Sequence, residues 1–414
     1  MDYKEWFKES DCTRCGECLK MCPEIQLEEE KSKREISNII EGRIDNIVLK
    51  KCSSCFSCDT YCPYDCHPYR LFLSLFNKRY TQEGAPSISR LVFPGEKGNI
   101  WSRLTPLLPE DERKMLKAWA KFQASEESML TGCFTNIFPY LVHSRHLNKI
   151  SVIGSEHLWC SGGHIYQLGM LDAVGQIGKR EEEFLNSLGI KRLITFMDAE
   201  YIMLTQILPK LYNLHFNFEV IPLLVWLKEQ IQSGNIQLKE DLNLTVTIHD
   251  NCFSKAEGEK FFDLSRQIIK ETGCRLVEME HSKEDALCCG FGLGASSTKS
   301  REVPLRIVRG AIRRIREAEA TGACALITYC SGCLFILSLA KEIIRSKLEI
   351  YHIFELVQLS SKEKPLHRHK KRARQVMKVM VSELLVSLFR KNIKLEPISK
   401  SLPLNRDSDL FYSP

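Results

Sequence analysis

The chain has 414 residues, 44% of them hydrophobic and 27% charged, with a formal net charge of +6. This length predicts two to four domains of roughly 100–200 residues each, and no stretch approaches the ~18 uninterrupted apolar residues of a transmembrane segment. The charge is too mild and too evenly spread to imply nucleic acid, and the opening Met1-Asp2-Tyr3-Lys4-Glu5-Trp6 lacks the apolar core of a signal peptide, so a cytoplasmic protein is expected.

The outlier is cysteine, with 18 residues. In a reducing compartment, cysteines at short fixed spacings signal metal thiolates rather than disulfides. Residues 1–80 hold two such groups, separated by a charged, helix-favouring stretch from Leu27 to Lys51, and predict a mostly helical ferredoxin domain. Cys12, Cys15, Cys18 and Cys22 precede Pro23 with the spacing C-x2-C-x2-C-x3-C-P, and Cys52, Cys55, Cys58 and Cys62 repeat it before Pro63. In this pattern three thiolates wrap three corners of an Fe4S4 cube, and the fourth reaches across to the other cube. Cys12, Cys15, Cys18 and Cys62 are therefore expected to hold one cubane [4Fe-4S] cluster, and Cys52, Cys55, Cys58 and Cys22 the other. A pair of zinc sites fits less well, because zinc takes four ligands in tetrahedral pairs rather than three cysteines at successive x2 steps.

Residues 81–126 carry Pro86, Pro94, Pro106 and Pro109 with Gly84, Gly95 and Gly98, a composition that predicts a linker. Beyond it, short apolar strands alternate with amphipathic helices, which predicts parallel sheet with crossover helices. The expected strands are Lys149 to Gly154, Arg192 to Phe196, Leu244 to Asp250 and Ala325 to Tyr329. Pro304 is expected to open a helix whose Leu305, Val308, Ile312 and Ile315 share the buried face, with basic residues on the other.

The segment contains an internal repeat. Thr131-Gly132-Cys133-Phe134 matches Asp250-Asn251-Cys252-Phe253, Leu158-Trp159-Cys160-Ser161-Gly162 matches Ala286-Leu287-Cys288-Cys289-Gly290, and Leu193-Ile194-Thr195-Phe196 matches Leu326-Ile327-Thr328-Tyr329. The fold class is therefore α/β: the helical ferredoxin domain followed by a duplicated α/β, Rossmann-like cysteine-rich domain. Its first repeat spans 127–240 and its second 241–365. Residues 366–414 form a basic tail, in which Arg368, Lys370, Lys371, Arg372 and Arg374 predict a solvated face. A helix with Val376, Met380, Leu384 and Leu388 on one side follows.

The second repeat gathers Cys252, Cys288, Cys289, Cys330 and Cys333. A cubane needs four thiolates, and adjacent cysteines cannot easily serve neighbouring corners of a regular cube, because successive side chains of an extended chain point apart. A distorted or split cluster fits better. On these residues the chain resembles the cysteine-cysteine-glycine domain family of iron–sulfur proteins, in a layout similar to the D subunit of heterodisulfide reductase, over nearly all of residues 1–365. The resemblance implies a noncubane [4Fe-4S] cluster on the five cysteines and, in the best-studied members, reduction of a mixed disulfide held between two such clusters.

The first repeat departs from that pattern. Cys133 and Cys160 remain, but Ser161, Met197 and Glu200 stand at the other three positions, where two thiolates are too few for a second noncubane cluster. The site is either a relic that still packs or a mixed-ligand metal site using Cys133, Cys160, Glu200 and His157 or His164. Gly290-Phe291-Gly292-Leu293-Gly294 follows the paired cysteines rather than a strand, so it reads as backbone folded closely around a cluster and not as a dinucleotide loop. Cys66, Cys274 and Cys324 fit neither motif.

The expected function is an iron–sulfur electron-transfer subunit of a heterodisulfide-reductase-like cytoplasmic redox complex. Its partner would be a flavoprotein or another iron–sulfur redox subunit. The alternative is a catalytic subunit that reduces a disulfide of thiol coenzymes at the five-cysteine site. A zinc-dependent nucleic-acid or scaffold protein, drawing on the basic tail, would contain no iron.

Overall fold

The computed structural model describes residues 3–43, 46–93, 96, 98–154, 160–387 and 390–394. The N-terminal part is helical, with helices at Glu17–Lys20, Glu29–Ile40, Ile47–Lys51, Ser57–Thr60 and Pro68–Glu83. Ile36, Ile39 and Ile40 bury one face of the second of these, while its glutamates and lysines pair along the exposed side. In the last, Leu71, Phe72, Leu75 and Phe76 are buried against the rest of the chain.

The described residues between 87 and 120 are not an open linker. They form a 3-10 turn at Ser87–Val92 and helices at Ile100–Leu104 and Glu110–Ala120. Ile88, Leu91, Ile100, Trp101, Leu104, Leu116 and Trp119 are all buried there. The prolines break the segment into short pieces, but its large apolar side chains are spaced to reach one core.

Two four-stranded parallel sheets follow, and their order is the same. Strands β1 (Glu127–Leu130), β2 (Ser151–Ile153), β3 (Arg192–Thr195) and β4 (Glu219–Pro222) lie in the order β2-β1-β3-β4. Strands β5 (Thr245–His249), β6 (Arg275–Leu276), β7 (Ala325–Thr328) and β8 (Glu349–His352) lie in the order β6-β5-β7-β8. All pairings are parallel. The chain reverses its winding direction between β1 and β3, and again between β5 and β7. In such sheets ligands gather beyond the carboxyl ends of the strands at this switch point.

The helix Glu302–Ala320 begins two residues before Pro304 and buries a different stripe from the expected one: Val303, Ile307, Gly310, Ala311, Arg314, Ile315 and Ala318. Leu305 is exposed, while Val308 and Ile312 are half-buried. The small residues decide the face. Gly310 packs on the backbone of Gly290 so closely that an added Cβ would come within 2.9 Å of it, and this rotates the helix until Arg314 points inward.

The basic segment is a solvated face only in part: Lys370, Lys371 and Arg374 are exposed, while Arg368 and Arg372 turn toward the core. Arg372 is buried, pairs with the equally buried Glu112, and donates to the Ile137 carbonyl. Arg368 bridges Asp111 and Glu112 at 2.7 Å each. These contacts pin the helix His369–Ser387, which buries Val376 and Val379; Leu388 lies outside the described residues.

Candidate metal centres

The two N-terminal cysteine loops share one backbone shape. Each enters the left-handed region at the same two places, Arg14 and Gly16 in the first, Ser54 and Phe56 in the second. Such turns curl amide N–H groups toward the concave side, where anionic sulfur is stabilised; the Ser54 amide, for instance, donates to Cys52 Sγ at 3.2 Å. Phe56 tolerates this conformation because its ring is clamped by Tyr69 at 4.3 Å and Phe253 at 5.0 Å.

Cys12, Cys15, Cys18 and Cys62 line one cavity, with Cys66 beside them. Burial holds the Cys18 thiol well above its ordinary value, and the nearby Cys62, Cys12 and Cys15 raise it further. Cys22 faces the other group: burial and the Cys55 charge push it up to about 12. Cys52 is raised by burial, Cys22 and Cys55, and Cys58 by burial, Asp59 and Cys52. Cys62 thus stands with the thiols of the first motif and Cys22 with those of the second. Soft sulfurs gathered in this way, buried at Cys22, Cys52, Cys55 and Cys58, and in the other group buried at Cys18 but half-buried at Cys12, Cys15 and Cys62, are the donor chemistry of an iron–sulfur site.

Cys55 differs from its neighbours. Burial raises it, but the Lys255 ammonium and the hydroxyls of Ser53 and Ser57 outweigh that effect and bring it below its ordinary value. Lys255 is only 4% exposed and donates to Ser57 Oγ at 2.5 Å and to the Ala286 carbonyl at 2.7 Å.

The five C-terminal cysteines converge at the carboxyl ends of β5 and β7. Asn251 accepts from the amides of Phe253 and Ser254 at 2.9 and 3.1 Å, a local turn that fixes Cys252 just past β5. Cys330 stands at the N-terminal boundary of the helix Ser331–Ile344 and Cys333 sits in its first turn; contact with Cys289 and Cys330, together with burial, holds the Cys333 thiol well above its ordinary value. Cys252 is raised by burial and by the charges of Cys289 and Cys330, and Cys288 by contact with Cys289 and by burial. Both also feel Cys55.

Several residues outside the cysteine motifs complete this site. Gln167 donates to Cys252 Sγ at 3.1 Å. Arg314 donates to His249 Nδ1 at 3.0 Å, which leaves the other ring nitrogen as the protonated one. A donor atom of His249 lies within 4.8 Å of the Cys289 and Cys333 sulfurs. Spacing alone gives no sign of Gln167, Lys255 or Arg314. His249, three residues before Cys252 at the end of a strand, is the one with a detectable position.

Gly292 joins the two halves. A Cβ there would lie 1.9 Å from the Ser53 carbonyl oxygen and 3.3 Å from Cys288 Sγ, so the glycine lets the second ferredoxin loop rest directly on the turn after the paired cysteines. In the first repeat Cys133, Cys160 and His164 come together, while His157 lies outside the described residues. Cys66 lies beside Cys62, whose sulfur accepts its amide at 3.4 Å; Cys274 is buried and Cys324 exposed.

Comparison with known proteins agrees with this layout. Residues 4–63 match the 4Fe-4S dicluster domain and residues 246–338 the CCG cysteine-rich domain. The D subunit of the dihydromethanophenazine:CoB–CoM heterodisulfide reductase of Methanosarcina barkeri is 25% identical over 390 residues, covering 84% of this chain and 92% of the relative. The chain is an iron–sulfur oxidoreductase subunit. The chain is also 22% identical to the B subunit of the fumarate reductase (CoM/CoB) of Methanothermobacter marburgensis, over 87% of the chain and 74% of that protein. To the EtfAB:quinone oxidoreductase of Syntrophomonas wolfei it is 21% identical, over 70% of the chain and 49% of the relative. No helix among the described residues is long and apolar enough to cross a membrane.

Proposed function

We propose that the chain holds three iron–sulfur clusters and works as the electron-transfer subunit of a cytoplasmic complex with a flavoprotein or another iron–sulfur redox subunit. Cys12, Cys15, Cys18 and Cys62 would hold one cubane [4Fe-4S] cluster, Cys22, Cys52, Cys55 and Cys58 the second, and Cys252, Cys288, Cys289, Cys330 and Cys333 a noncubane [4Fe-4S] cluster. When bound, such clusters accept and release single electrons at potentials set by hydrogen bonds to sulfur, nearby charge and burial.

The observation that carries this reading is the contact between Ser53 and Gly292, which brings Cys55 near enough to Cys252 and Cys288 to act on both. The chain's own residues prepare the junction. Phe56, Tyr69 and Phe253 pack over it and keep water out, and Lys255 supplies a fixed positive charge between the two sulfur groups. Reduction of a disulfide between paired clusters is disfavoured, because Ser161, Met197 and Glu200 stand where the first repeat would need cysteines.

Anaerobically purified protein should contain about twelve irons per chain, four for each cluster. Its electron paramagnetic resonance spectrum should show two interacting cubane signals and one unusual signal, and Cys289→Ser should change only the last. About four irons or fewer, or an unusual signal indifferent to Cys289, would end this reading.

A further inference from the structure

The first repeat has lost three of the five thiols, yet what replaces them is not inert. Cys133, Cys160 and His164 are all buried and offer donor atoms within 4.8 Å of one another. His164 Nε2 lies 2.7 Å from the Val92 carbonyl oxygen, while Nδ1 faces Cys160 Sγ at 3.9 Å. A carbonyl only accepts, so Nε2 carries the ring proton and Nδ1 turns its lone pair toward the thiols. This is the way proteins orient a metal-ligating imidazole.

Glu200 is the candidate for a fourth donor: its carboxylate stands beside the turn of Cys133, next to the three grouped donors and not among them. It occupies the position of Cys333 in the aligned repeat, past the end of β3 as Cys333 is past β7. Its side chain is 4% exposed, and Oε2 has no hydrogen-bond partner among the described residues. The carboxylate rests on the turn that carries Cys133: Gly132 adopts φ +75°, and a Cβ there would come within 2.5 Å of Oε1. An orphaned buried carboxylate is costly unless a cation or proton balances it. The remaining replaced positions take no part, since Ser161 turns away to donate to Glu181 at 2.9 Å and Met197 offers only a thioether.

We propose that Cys133, Cys160, His164 and Glu200 form a closed four-coordinate zinc site, in which a carboxylate and an imidazole have replaced soft thiolates. Two sulfurs with one nitrogen and one oxygen suit zinc and do not suit an iron–sulfur cluster. Closed four-ligand sites are structural, and this one ties the loops after β1 and β3 together behind Phe134. That ring packs edge-on to Phe291 at 5.4 Å and lies 5.9 Å from Phe335, walling the flank of the five-cysteine site. The zinc site stands or falls independently of the cluster assignments above.

The test is metal analysis and zinc X-ray absorption on the full chain, purified without added zinc or chelator. About one zinc per chain is expected, with two sulfurs near 2.3 Å and two nitrogen or oxygen neighbours near 2.0–2.1 Å. His164→Ala should lower zinc affinity at least ~10–100-fold while leaving iron content and cluster spectra intact. Wild-type protein without zinc, or zinc surrounded by three or four sulfurs, overturns the proposal whether or not the variant folds. So does a wild-type zinc content that His164→Ala leaves unchanged.

Discussion

The Lys255 ammonium, buried in the second cysteine-rich repeat, lies beside Cys55 of the ferredoxin half and lowers its thiol pKa. A fixed positive charge favours the more negative, reduced form of a nearby cluster. Lys255→Met should therefore lower the reduction potential of the cluster on Cys22, Cys52, Cys55 and Cys58 by on the order of 50–100 mV, the scale of a Coulomb interaction over several ångströms at an effective dielectric near 20. A redox titration followed by electron paramagnetic resonance reads this directly; an unchanged midpoint would remove Lys255 from any tuning role.

The contact at Gly292 leaves no space for a side chain. Gly292→Ala drives a methyl group into the Ser53 carbonyl, and the loop must move away. The expected cost is about 1–3 kcal/mol in thermal or denaturant unfolding. Rapid-freeze kinetics should also show slower electron exchange between front and rear clusters, whereas Gly294→Ala, where a Cβ would meet only flexible side-chain atoms at 3.2 Å or more, should leave that exchange unchanged.

Glu112 is fully buried and faces Arg368 and the buried Arg372. Removing the carboxylate in Glu112→Ala strands a buried guanidinium and should destabilise the chain by ~3–5 kcal/mol. The apolar double replacement Glu112→Leu with Arg372→Met should recover most of that loss, since a buried pair replaced together is often neutral. Equal destabilisation in the single and double variants would show that packing, not charge, is the cause.

A pH dependence follows from the histidines that anchor the C-terminal helix. His367 donates to Glu355 at 3.0 Å and lies 3.7 Å from Glu349. Burial opposes its protonation, but the two carboxylates outweigh burial and raise its pKa. Burial likewise raises Glu355, but His369 and His367 outweigh it and hold that carboxyl low. A raised histidine stabilises fully below its unfolded value of about 6.5, and the contribution disappears as pH rises through the folded value. The Glu355 contribution is present above about 4.3 and is lost only on acidification. Melting temperature should therefore fall as pH climbs above the ordinary histidine range, and His367→Gln should flatten that slope.

The cysteine spacings make the metal chemistry legible, because thiolate sites in loops are set by local sequence. The duplication is legible too, since Cys133 and Cys252 each precede a phenylalanine, Cys160 and Cys288 each lie just before a glycine, and Leu193–Phe196 matches Leu326–Tyr329. Four of the eight strands are not. β6 is only two residues long, and β1, Glu-Ser-Met-Leu, begins polar and carries no β-branched residue. The buried face of Glu302–Ala320 escapes the apolar pattern because Gly310 and Ala311 look neutral in it, yet permit the closest approach. Lys255, Gln167 and Arg314 reach the cysteines from distant segments, and such encounters are a property of tertiary folding that no spacing records.

The identical strand order of the two sheets separates scaffold from chemistry. Both halves present the ends of two central strands to the same kind of hollow, so what occupies it depends on a few side chains rather than on new backbone. Three exchanges, Ser161→Cys, Met197→Cys and Glu200→Cys, would restore the first hollow's five thiols, and His164, where the second repeat has Gly292, is its one added donor among the described residues. A copied fold of this kind can change its inorganic occupant by point substitution while its twin keeps the original.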